Sequence, residues 1–120
     1  MINIVTSSRY KVDRKKISTL TEESLNKKEV SPELTLNVVF VGKNKMREIA
    51  KKYKKEDVAL PVLSFNYMQE PKEDERLMGE IIICYPQAIL LAAEREKKVD
   101  MTIMQLIDHG IENILSEQIS

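Results

Sequence analysis

A lone cysteine, Cys84, excludes any disulfide within the chain. It lies in the run Ile81-Ile82-Ile83-Cys84 and reads as a small buried hydrophobe in a strand. The three glycines, Gly42, Gly79 and Gly110, stand far apart, which excludes a glycine-rich loop that cradles phosphates. Tryptophan is absent and aromatic residues make up 5% of the chain, so no base-stacking platform is expected. No run of about 18 apolar residues exists, so no transmembrane helix is expected. Met1 to Val5 is apolar but too short for a secretory signal, and polar residues follow at once. The expectation is a cytoplasmic protein.

What is present fits one α+β domain over residues 1–120, since 120 residues give room for one core and not for two. Net charge is zero, with 19 Lys plus Arg against 19 Asp plus Glu. The charges are unevenly placed. Residues 1–57 hold 14 basic and 8 acidic side chains, whereas residues 58–120 hold 5 basic and 11 acidic ones. Such polarity either offers a basic face to an anionic partner or decorates solvated helices.

Hydrophobic periodicity predicts the element order β-α-β-α-β-β-α-α. Strands are expected over Ile2 to Ser7, Leu34 to Val41, Pro61 to Tyr67 and Gly79 to Tyr85. The last of these is apolar enough to be buried on both faces. Asp13 is a candidate cap for a first helix reaching about Lys28. Met46, Ile49, Ala50 and Tyr53 mark the inner side of a second helix. Its outer side carries Lys43, Lys45, Arg47, Lys51, Lys52, Lys54 and Lys55, the most basic segment of the chain. Residues 69–76 read as a charged loop. Pro86 suits the first turn of a third helix. Asp100 is a candidate cap for a last helix to about Glu117. A small mixed sheet of four strands covered by helices follows. Ser64, Phe65 and Tyr67 are expected mainly as strand core.

The last helix carries His109, the one histidine of the chain. Ile103, Ile107, Ile111 and Ile114 form its apolar stripe, while Gln105, His109, Glu112 and Asn113 share another face. His109, Glu112 and Asn113 are the candidate metal ligands. One imidazole with one carboxylate falls short of the three protein ligands usual for catalytic zinc. A lone histidine on a surface helix is the other reading.

Three blocks, in order, carry a resemblance to a known family. They are Tyr53-Lys54 followed by Val62-Leu63-Ser64-Phe65, then Met78-Gly79-Glu80-Ile81, then His109-Gly110-Ile111-Glu112-Asn113-Ile114-Leu115. Over roughly residues 34 to 115 the chain resembles the YbeY family of metal-dependent endoribonucleases of rRNA maturation. The resemblance implies an α+β fold, one zinc ion held by three histidines, single-stranded rRNA as substrate and the small ribosomal subunit as partner. It implies no membrane and no DNA. It places the first zinc histidine at His109, the second at Asn113 and the third at Ile119, and the family's phosphate-binding arginine at Lys54. Lysine keeps the charge but not the bidentate fork of arginine. Leu60-Pro61 stands where the family has Thr-Asp.

Three functional readings follow. The first is a metal-dependent endoribonuclease using Lys54 and His109. The second is a catalytically inactive relative that binds RNA or the ribosome, with no zinc. The third is a protein-interaction module.

Overall fold

A computed structural model describes residues 1–68 and 76–117. The expected loop lies almost wholly outside the described residues, as does Ile119. The elements are β1 (Ile2–Val5), α1 (Arg14–Lys27), β2 (Thr35–Val41), α2 (Lys43–Lys54), β3 (Val62–Asn66), β4 (Leu77–Cys84), α3 (Tyr85–Glu94) and α4 (Val99–Glu117). The order agrees with the hydrophobic pattern, and most ends move by a residue or two. α3 stops at Glu94 rather than near Lys97, and α4 begins at Val99, so Asp100 lies in its first turn and is not its cap.

The sheet runs β1-β2-β4-β3. β1, β2 and β4 are parallel, and β3 joins β4 antiparallel at the margin. β4 lies between two strands and has helices on both faces, which is why Met78 and Ile81 through Cys84 are all buried.

Alternation along the strands splits the core in two. Leu36, Val38, Phe40, Ile81 and Ile83 face α1, α3 and α4. Leu63, Ile82 and Cys84 face Met46 and Ala50 of α2 on the opposite side. The isoleucine stripe of α4 is almost wholly excluded from solvent, with Ile103, Ile107 and Ile111 at 0% exposure and Ile114 at 1%. Burying side chains of this size stabilises by about 1.5–3 kcal/mol each before chain entropy is counted.

Local signals set the helix ends. Asp13 caps α1, its Oδ1 accepting from the Lys16 N–H at 3.1 Å. Pro86 sits in the first turn of α3, where a missing N–H costs nothing. Lys55 closes α2 in the left-handed region at φ 56°. No helix among the described residues is long and apolar enough to cross a membrane.

Candidate functional site

Two glycines bring the site elements together. At Gly110 a Cβ would lie 2.9 Å from Ile81 Cδ1, so its absence lets α4 settle closely on the sheet. At Gly79 a Cβ would run into the backbone carbonyl oxygen of Phe65, so β3 can approach only because the side chain is missing. Asn66 then fastens the two elements. Its Nδ2 donates to the Ile114 carbonyl at 3.1 Å, and its Oδ1 accepts from the Met68 N–H at 2.8 Å.

The resulting cavity, about 250 Å³, lies at the free edge of β3 between the end of α2 and α4. Lys54, His109 and Asn113 line it together with Ser64 and Glu56. Sequence reasoning missed Glu56, because it lies in the connection after α2 and belongs to no periodic pattern. Glu112 is exposed and lines neither this cavity nor the next one. Gln105 lines a neighbouring cavity of about 510 Å³ that His109 also borders, and it accepts from Arg95 Nη1 at 3.3 Å.

The strand itself adds polar groups. The Pro61 carbonyl accepts from the Cys84 N–H, and the Tyr67 N–H donates to the Met78 carbonyl. In an antiparallel ladder this parity leaves the backbone groups of Val62 and Ser64 pointing along the free edge. Both residues border the cavity, so their outward N–H and C=O groups lie along the same edge that Lys54 lines.

These groups suit an anionic substrate better than a zinc ion. Catalytic zinc takes three protein ligands. Among the described residues no group of three or more His, Cys, Asp or Glu side chains is placed to hold a metal. The cavity offers one imidazole, one neutral amide and one carboxylate beside a lysine cation, and this donor set does not fit a tight zinc site.

The basic side chains of α2 are all exposed, as the pattern implies. Two have carboxylate partners. Arg47 donates from Nε and Nη2 to Asp57 Oδ1 at 3.3 and 3.1 Å, and Lys45 pairs with Glu48 at 3.7 Å. Lys51, Lys52, Lys54 and Lys55 have no ion-pair partner among the described residues.

Cys84 is not a nucleophile for this site. It is fully buried, and desolvation pushes its thiol above the ordinary value. A backbone hydrogen bond at Gln87 and the charge of Lys43 only partly oppose that shift.

Known proteins are similar to this chain in sequence and fold. A family model described as Endoribonuclease YbeY matches residues 3–115. A Dehalococcoides mccartyi protein named Endoribonuclease YbeY is 28% identical over 129 residues, covering 95% of this chain and 78% of the relative. A Desulforamulus reducens protein of the same name is 31% identical over 106 residues, covering 84% and 69%. A solution structure from Thermotoga maritima is similar with a TM-score of 0.59 at 24% identity. It covers 92% of this chain and 69% of that one, and the likeness concerns the fold alone.

Proposed function

The chain belongs to the YbeY endoribonuclease family, and from that premise we propose that it cleaves single-stranded RNA in rRNA maturation. The observation that carries this reading is the meeting of Lys54, His109 and Asn113 in one cavity at the edge of β3. The Lys54 ammonium neutralises a phosphate, and the outward N–H groups of Val62 and Ser64 add hydrogen bonds to it. The His109 imidazole stands at the same cavity as the group able to pass a proton to or from the reacting ribose and phosphate oxygens. Lys51, Lys52 and Lys55 track the backbone on either side, with Arg47 contributing less because Asp57 holds it. A small ribosomal subunit supplies the RNA, which makes the setting cytoplasmic.

One observation favours a second reading. The donor set falls short of a zinc site, which suits a relative that holds RNA without hydrolysing it.

A labelled single-stranded rRNA fragment and its duplex form separate the two. Cleavage is expected of the single strand, with His109→Ala slowing it about a hundredfold. Salt-sensitive binding with no products, with or without added zinc, supports the second reading. Cleavage that is unchanged in His109→Ala contradicts the placement of the reaction in this cavity. Cleavage that a chelator stops would show that a metal binds despite the donor set.

A further inference from the structure

The largest of the described cavities lies on the other side of β3 from His109. It measures about 590 Å³ and opens between α2 and the β3–β4 pair. Tyr53, Phe65 and Tyr67 contribute three of the chain's few aromatic rings to its lining, with Lys45 and Lys52 at the helix side. The aromatic scarcity of the sequence concealed this cluster, because Tyr53 and the two strand rings come from different elements.

Tyr53 is 56% exposed, although a large ring on an amphipathic helix would ordinarily be covered. Phe65 holds it edge-on, with centroids 5.1 Å apart and planes at 71°. Lys52 Nζ stands 5.2 Å from the Tyr53 centroid. One flank of the cavity is therefore a propped aromatic ring with a cation beside it.

We propose that this cavity binds a nucleobase of single-stranded RNA, stacked against Tyr53, while the adjoining phosphate reaches the Lys54 and His109 cavity. The proposal rests on the reading that the chain acts on RNA. Its geometric core is that Tyr53 and Lys54 are consecutive residues opening onto two different cavities across one strand edge. A nucleotide likewise carries its flat apolar part and its charged part on one sugar. Glu48 and Glu80 also line the larger cavity. Two carboxylates disfavour a phosphate there, but they accept hydrogen bonds from the amino and N–H groups of a base edge. Lys52 remains at the rim for the backbone, with Lys45 contributing less because it pairs with Glu48. Duplex RNA cannot use the cavity, because its bases stay paired and stacked.

The test is fluorescence anisotropy with a labelled single-stranded oligoribonucleotide and an abasic strand carrying the same number of phosphates. Wild type should bind the base-bearing strand about tenfold more tightly than the abasic one. Tyr53→Ala should bring the ratio to about one while leaving abasic affinity nearly unchanged, and Tyr53→Phe should restore the preference. Thermal melts of the two variants check that this exposed position does not disturb folding. Equal, salt-sensitive binding of both strands by wild type overturns the base pocket and leaves the RNA reading standing. Binding of neither strand overturns both.

Discussion

Replacing Gly79 by alanine should destabilise the fold far more than the same change at Gly110, for a reason visible in what each new methyl group meets. Neither glycine has a positive φ, so an alanine backbone is unstrained at both positions and packing alone decides. At Gly79 the methyl group strikes the backbone oxygen of Phe65 and lies 2.9 Å from Ile114 Cδ1. A backbone carbonyl inside a strand pair cannot rotate away, so either β3 or α4 must shift. Overpacking costs about 1–3 kcal/mol, occasionally more, and a clash with backbone belongs at the upper end. Reduced freedom of the unfolded chain returns about 0.4–1 kcal/mol, which leaves a net loss of about 2–3 kcal/mol. At Gly110 the nearest atoms belong to the Ile81 side chain, at 2.9, 3.0 and 3.2 Å. That side chain can move, and alanine gains about 1 kcal/mol over glycine inside a helix. The expected loss there is about 1 kcal/mol or less. In thermal melts followed by circular dichroism, Gly79→Ala should lower Tm by about 10 °C and Gly110→Ala by a few degrees. A Gly79→Ala protein that melts with wild type, or a larger loss at Gly110, would refute the reasoning.

Two further residues carry expectations from the same structure. Lys55→Gly should raise stability by about 0.5–1 kcal/mol in a denaturant titration, because a non-glycine residue at φ 56° is strained. The same change should flatten the salt dependence of RNA binding by about one phosphate contact. The Cys84 thiol should resist alkylation in the native protein and react in step with unfolding, which mass spectrometry reads directly. Its raised value also gives a sign. The contribution to stability is fully present below the ordinary thiol value of 9.0 and is lost as the pH rises through the folded value. Alkaline melts should therefore fall faster for wild type than for Cys84→Ala.

Much of this architecture was legible in the sequence, because local signals agreed with the global fold. Alternation over residues 34–38 and the apolar run after it marked β2, and the isoleucine stripe marked the buried side of α4, down to the individual residues. Asp13 and Pro86 marked helix starts for reasons of hydrogen bonding that tertiary packing did not override. Strand order was not legible. That β3 forms an antiparallel edge beside β4 depends on pairings between distant residues, and no local pattern encodes them. The site divided along the same line. Lys54, His109 and Asn113 line one cavity, whereas Glu112, three residues from His109 on one helix, stays outside it. Glu56 entered the cavity through the connection after α2, and Asp57 withdrew Arg47 from the basic face. Both effects arise from where a loop folds back, which spacing along the chain does not report.

Because the chain has one histidine, occupation of the cavity can be read from the ring signals of one side chain. The His109 ring signal should be followed by nuclear magnetic resonance during titration with single-stranded RNA, in wild type and in Lys54→Glu. If the cavity at the edge of β3 receives the RNA phosphate, the signal should move with saturation in wild type, and Lys54→Glu should weaken or abolish the movement. RNA that binds while the His109 signal stays still would contradict the account.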